Sequence, residues 1–318
     1  MTASSAARLV GLDLLKLCLA LLVVTIHANP LREVSAEATW LLGNGLARVA
    51  VPGFFTVAGY MFRPEVPGRS RRLIGRYVWL HLLWLTLYLP FWWPSVAAGG
   101  VAQYLRMWIF GWWQLWFLTG LAVAVAGAAL VWRWPARALW ALALALFTLG
   151  YLLQIARMEH WVPREWWPLL VRNGVLLGLP FFLLGHLLRR SGLDRRIGFA
   201  AAFALGTAGL VLSVAETMAL RHVADPAHPL APETLIAALI ACPALVIAAV
   251  RAPPLPAWLS AWPLGTLSAG IYFLHIGFVI TLTRFYPLPR AEVYLIAVIG
   301  SALLTLALIR LRLAGRLF

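Results

Sequence analysis

The chain has 318 residues, 63% of them hydrophobic and only 12% charged, with a mean hydropathy of +0.86. No water-soluble core of this length needs so much apolar material, and lipid-facing β structure would need apolar and polar residues in alternation, which are absent. The formal charge of +15 lies in short breaks between apolar runs and forms no continuous stripe, so it marks membrane orientation and argues against a nucleic-acid surface.

A bilayer-spanning helix takes about 20 apolar residues. Stretches near that length predict spans near residues 9–28, 46–62, 73–93, 113–132, 137–155, 170–188, 196–215, 233–250, 264–284 and 292–310. The expected fold is therefore all-α, a polytopic membrane helix bundle of about ten transmembrane helices forming one domain over residues 1–318. The first span begins near Arg8 and looks superficially like a signal peptide. It lacks a small-residue cleavage site before the next polar stretch, so it is expected to stay attached as helix one. At the start of the fourth span, Trp112, Trp113, Gln114 and Trp116 would also suit an interfacial segment. Other tryptophans gather near span ends, as at Trp92, Trp93, Trp108, Trp161, Trp166, Trp167, Trp258 and Trp262, which reads as an interfacial aromatic belt.

An even number of spans returns both ends to one side. Lys16, the only lysine, lies inside helix one, leaving 25 arginines of the 26 basic residues. Arg32, Arg48, Arg106, Arg157, Arg164, Arg172, Arg221, Arg284 and Arg290 fall on one side with eight of the eleven acidic residues, and the other 16 arginines fall opposite. The richer side is expected to be cytoplasmic, with both termini there. On the far side, the loops near 156–169 and 216–232 are long enough to shape a substrate site.

An ionisable group inside a span costs roughly 2.5 to 3.5 kcal/mol on insertion scales. Helix one has three: Asp13, Lys16 and His27. Asp13 and Lys16, at i and i+3, can meet and partly neutralise each other. Lys16 and His27 are eleven residues apart, which returns to nearly the same azimuth about 16 Å along the axis. One reading has them walling a polar passage; the other has Lys16 snorkelling to the inner surface and His27 opening the outer loop. His275, deep in the ninth span within Gly270-Ile271-Tyr272-Phe273-Leu274-His275, is harder to dismiss. His81 and His186 show no local partner and read as structural, while His160, His222 and His228 read as solvated. Metal-ligand spacings, Gly-x-Ser-x-Gly, Walker and dinucleotide fingerprints are missing, and Cys18 and Cys242 read as small core residues. Proton transfer centred on histidine is then the simplest chemistry on offer.

The second hairpin carries Val51-Pro52-Gly53-Phe54-Phe55-Thr56-Val57-Ala58-Gly59-Tyr60, followed by Arg69, Arg71, Arg72 and Arg76. Those arginines fit a topology signal, and they equally fit a phosphate-rich ligand such as coenzyme A, because guanidinium grips phosphate in forked pairs.

Taken in order, these stretches resemble the acyltransferase-3 family of integral membrane acyltransferases. Gly11 to Lys16, then ten residues, then His27 is similar to that family's basic-x10-His signature. Pro52 to Tyr60, Arg72 to Trp79 with Tyr88-Leu89-Pro90, Leu115 to Leu118, Gly178 to Gly185 and Ile271 to His275 follow in the same order. Two positions depart: Lys16 stands where the family often has arginine, and Ala58 where it often has serine. Lysine keeps the charge but loses the planar fork.

The resemblance implies a multi-pass protein of the bacterial inner membrane. It implies transfer of an acyl group, expected to be acetyl, from cytoplasmic acyl-CoA to a hydroxyl of an extracytoplasmic acceptor, expected to be a cell-envelope carbohydrate or lipid-linked glycan. His27 is expected to be catalytic, as base or acyl carrier, with Lys16 and Asp13 orienting the donor and Arg69, Arg72 and Arg76 holding its phosphates. Tyr60, Trp116, Tyr272 and His275 are expected on the acceptor side or along a pore. No metal and no permanently bound cofactor is expected; acyl-CoA is a co-substrate. Two rivals keep the same polar residues without covalent chemistry, a transporter or flippase and a non-catalytic envelope partner.

Overall fold

The computed structural model describes residues 9–162, 171–223, 230–254 and 256–318, and every regular element among them is helical. Arg8, Arg164, Trp166, Trp167 and His228 lie outside the described residues, as do parts of both long far-side loops. The principal helices are α1 (Val10–Ala28), α2 (Ala50–Met61), α3 (Arg69–Leu87), α4 (Leu89–Phe110), α5 (Trp116–Val131), α6 (Ala136–Met158), α7 (Leu179–Arg190), α8 (Phe199–Val223), α9 (Ala238–Arg251), α10 (Leu264–Phe285) and α11 (Arg290–Arg310).

Helix occupies all ten expected places, but seven segments among the described residues are long and apolar enough to cross a bilayer: Val10–Ala28, Ala36–Met61, Trp113–Val131, Ala136–Met158, Phe199–Arg221, Leu264–Phe285 and Arg290–Arg310. The difference has local causes. α3 opens on Arg69, Arg71, Arg72 and Arg76, while α7 and α9 have only 12 and 14 residues. Beyond Trp93, α4 coincides with none of the expected spans. It runs past Pro94 and breaks at Gly100, whose φ of 69° is one that a residue without Cβ adopts at little cost.

α1 packs on α10, α2, α9 and α11. Its buried residues, among them Leu12, Leu19, Ala20, Val23 and Val24, are apolar on several sides, as suits a helix with neighbours around it. α2 and α7 approach closely through a reciprocal pair of glycines. A Cβ on Gly59 would stand 1.9 Å from the Phe182 carbonyl oxygen, and one on Gly185 would stand 2.0 Å from that of Thr56. In lipid, where apolar burial does not draw helices together, such close backbone contact supplies the dispersion that does.

The aromatic belt holds only in part. Trp93, Trp161 and Trp258 are exposed, but Trp92 is fully buried with its indole N–H donated to the Leu85 carbonyl at 2.9 Å, and Trp112 is buried as well. Cys242 is buried as expected, whereas Cys18 faces outward from α1.

A candidate active site built on two histidines

α1 and α10 cross so that His27, in the last turn of α1, meets His275 in the middle of α10. His27 Nδ1 lies 2.8 Å from His275 Nε2, and His275 Nδ1 lies 2.9 Å from the Ile271 carbonyl oxygen. A carbonyl can only accept, so His275 carries its proton on Nδ1 and presents Nε2 as an acceptor. His27 therefore donates its own Nδ1–H to that acceptor. The chain of two neutral rings leaves the His27 Nε2 lone pair uncommitted to either.

His27 lines a cavity of about 480 Å³ together with Arg48, Trp113, Gln114, Trp116, Phe117, Arg172, Glu233 and Tyr272. Trp113 stands edge-on to the His27 ring, 5.5 Å between centroids, and holds a φ of +48°. A bulky residue in that region is strained, and such strain gathers where a side chain must be aimed. The Tyr272 hydroxyl donates to the Gln114 carbonyl at 2.5 Å, tying α10 to the turn that carries Trp113.

Beyond the histidines sits an ion cluster in which Arg48 and Glu233 are buried and Arg172 is partly exposed. Arg48 Nη1 is 3.0 Å from Glu233 Oε2, and Arg172 Nη2 is 2.6 Å from Glu233 Oε1. Arg48 also donates to the Asn44 side-chain oxygen at 2.9 Å. Gln154 accepts from the main-chain N–H groups of Glu233 and Thr234, which fixes the acidic segment in place. Two guanidinium groups thus converge on one carboxylate in this wall of the cavity.

α10 is also held at the level of His275. The Tyr88 hydroxyl is 2.5 Å from the Phe273 carbonyl oxygen and accepts from the Gly277 N–H at 3.3 Å. Those two groups are the i and i+4 pair that a regular helix joins directly. A side chain inserted there adjusts the helix one turn around the histidine.

A family model described as an acyltransferase domain matches residues 9–310. The chain belongs to the acyltransferase-3 family. No curated protein and no solved structure matches it.

This acyltransferase-3 protein is thus a membrane-embedded, multi-pass acyltransferase, and its expected site residues divide between the two ends of the bundle. At the His27 end stand His275, Tyr272 and Trp116. At the other end, Lys16 Nζ and Asp13 Oδ1 pair at 2.6 Å, and Asp13 packs on Gly265 of α10. A second cavity there, of about 540 Å³, is lined by Arg76, Gly265, Ala269, Arg312 and Phe318. Arg76 also donates to the Phe318 main-chain oxygen. Of the other two arginines, Arg72 turns back to the Pro67 carbonyl at 3.3 Å, and neither Arg72 nor Arg69 lines this cavity.

Tyr60 is placed differently from the expectation. Its hydroxyl is bonded to Asp194 at 2.8 Å, at the end of α2 away from His27, so it joins helix ends and does not line the histidine cavity. Lys16 and His27 do share a face of α1, but among the described residues the cavity that His27 lines does not include Lys16. Ala20, Ser268 and Ile271, each at most 2% exposed, fill the levels between them.

Arg48, Arg172, Glu233, Trp113 and Gln114 were not expected in the site. The arginines fall at predicted span ends, where charge reads as topology, and Glu233 stands 185 residues from Arg48 in the chain. His81 is structural as expected, with Nε2 on the Trp108 carbonyl oxygen at 2.9 Å.

Proposed function

We propose that this acyltransferase moves an acyl group from cytoplasmic acyl-CoA to a hydroxyl of an extracytoplasmic acceptor, with His27 Nε2 as the general base. The reading rests chiefly on one observation, the two-histidine chain that ends in an uncommitted His27 Nε2 at a half-polar cavity. The acceptor hydroxyl loses its proton to His27 Nε2 as its oxygen attacks the thioester carbonyl. The tetrahedral intermediate then expels the thiolate, the C–S bond breaks, and the proton leaves with the coenzyme A thiol. During the step His27 is an imidazolium whose second N–H remains on His275, which spreads the positive charge over both rings. The negative oxygen of the intermediate forms on the side of the cavity lined by the Arg48 guanidinium. The same lone pair could carry the acyl group as an acyl-imidazole, which the acceptor would then attack.

In this reading the donor binds at the opposite end, where Arg76 and Arg312 line a cavity for its phosphates, and its pantetheine arm runs along α1 past Lys16. That end is read as cytoplasmic, with both termini on it and the bacterial inner membrane around it. The acetyl group and a carbohydrate acceptor come from the family resemblance. Transfer requires the layer of Ala20, Ser268 and Ile271 to open, since it separates the two cavities.

The test is transfer of radiolabelled acetyl from acetyl-CoA in membranes carrying wild-type or His27→Ala protein. Loss of a positioned base should lower the rate by about 10²–10⁴-fold, with unchanged membrane insertion and unchanged detergent elution. Wild-type transfer in the variant would end the proposal. A transporter would instead move its substrate with no change in mass.

A further inference from the structure

A cavity of about 510 Å³ lies at the end of α2 away from His27, between the residues that follow α2, those that follow α5, and the last turn of α7. Arg133, Arg189, Arg190 and Arg195 line it, and Glu65 is the one carboxylate among its described lining residues. It shares no lining residue with the Arg76 cavity. Asp194, beside Arg195 in the chain, is bonded to the Tyr60 hydroxyl and does not line it.

The arginines are anchored without being neutralised. Arg189 donates to the Phe62 carbonyl and Arg190 to that of Trp132, each contact using part of a fork of five N–H donors. Arg189 stands 3.8 Å from Glu65, whose side chain is 52% exposed, so the pair offsets little of the charge. The exposed Arg195 side chain has no hydrogen bond or ion pair among the described residues.

His186 is a second, independent sign of a ligand. It lines the same cavity, is only 4% exposed, and packs edge-on against Phe62, yet neither of its ring nitrogens has a hydrogen-bond partner among the described residues. A buried polar group left unpaired costs about 1–3 kcal/mol, which an acceptor in the cavity would recover. Separate guanidinium forks together with an imidazole N–H suit an anion whose oxygens point in several directions, which a phosphate has and a carboxylate lacks.

We infer that this cavity is a phosphate-binding site, separate from that of the acyl donor, which ties the ends of α2, α5 and α7 together when filled. The phosphate belongs to an anionic membrane lipid or to a soluble phosphate compound. Basic pockets between membrane helices take lipid headgroups through the same contacts.

The experiment follows the unfolding midpoint of full-length protein in dodecyl maltoside, at constant ionic strength, as inorganic phosphate or dioctanoyl phosphatidylglycerol is added. The midpoint should rise and saturate, in wild type and Arg76→Ala alike. The concentration giving half the rise should increase about tenfold or more in His186→Phe, which keeps a ring against Phe62 but carries no nitrogen, and in Arg195→Gln. Without added phosphate, His186→Phe should melt no lower than wild type, since it removes the unpaired nitrogens. Arg195→Gln changes an exposed side chain and keeps the test decisive if the His186 variant does not fold.

A half-effect far lower for phosphatidylglycerol than for inorganic phosphate would assign the site to a lipid headgroup, and similar half-effects would assign it to a soluble compound. No saturable rise with either probe would overturn the inference. So would a rise untouched by Arg195→Gln, or one that dioctanoyl phosphatidylcholine reproduces in full. Loss of the phosphate response in Arg76→Ala would place the anion in the donor cavity. Acetyl-CoA should raise the midpoint of Arg195→Gln as it does that of wild type; loss of that response would make this cavity part of the donor site and overturn the inference as well.

Discussion

At the scale of single residues, His275 offers the sharpest prediction, because its role is to hold another ring in one tautomer. His275→Ala removes the acceptor for the His27 Nδ1–H and lets the ring turn and exchange tautomers. The turnover number should fall by about 10²-fold, of the order a positioned proton acceptor contributes, while KM for acyl-CoA stays near wild type. His275→Gln restores a side-chain oxygen that can accept the same bond and should recover part of the loss. An alanine variant with wild-type turnover, or a rise in KM without a fall in turnover, would return His275 to a packing role. His27 and His275 were both legible in the sequence as ionisable groups inside apolar spans, but their bond was not, since 248 residues separate them. Arg48 and Glu233 were illegible for a related reason: a charge at a span end reads the same whether it faces solvent or a partner from another helix.

Among the elements, α1 and α10 emerge close to their expected bounds because each is a long apolar run with few breaks. Most of α4 lies outside the expected spans, and its Pro94 and Gly100 show why: such residues signal a break without saying whether a helix resumes beyond it. Close approach of backbones is also hard to see in sequence. Gly59 and Gly185 belong to stretches noted for their resemblance, yet their mutual role depends on the crossing of α2 and α7. Gly59→Ala must push its Cβ away from the Phe182 carbonyl, and Gly185→Ala must do the same at Thr56. Overpacking of this kind costs about 1–3 kcal/mol, so each variant should lower the unfolding midpoint in detergent by several degrees. The pair crosses within a few residues, so a first displacement relieves the second site. The double variant should therefore lose less than the sum of the two, and strict additivity in thermal melts would contradict a shared crossing point.

At the scale of the whole molecule, the Arg76 cavity and the His27 cavity lie at opposite ends, with Ala20, Ser268 and Ile271 buried between them. A soluble enzyme gains nothing from such separation, whereas an enzyme whose donor and acceptor lie on different sides of a membrane requires it. Thr266 lines the cavity that holds Arg76, and Ile26 lines the cavity that holds His27. In a background of Cys18→Ser and Cys242→Ala, Thr266→Cys should react with a membrane-impermeant maleimide only in inside-out vesicles. Ile26→Cys should react only in right-side-out vesicles. Acetyl-CoA should protect the first site, with protection weakened by added salt and by Arg76→Ala, because ion pairing of arginine with phosphate is screened. Labelling of both positions from one face would place donor and acceptor on the same side and remove the need for any passage along α1. Opposite labelling without protection by acetyl-CoA would keep the sidedness but move the donor away from Arg76.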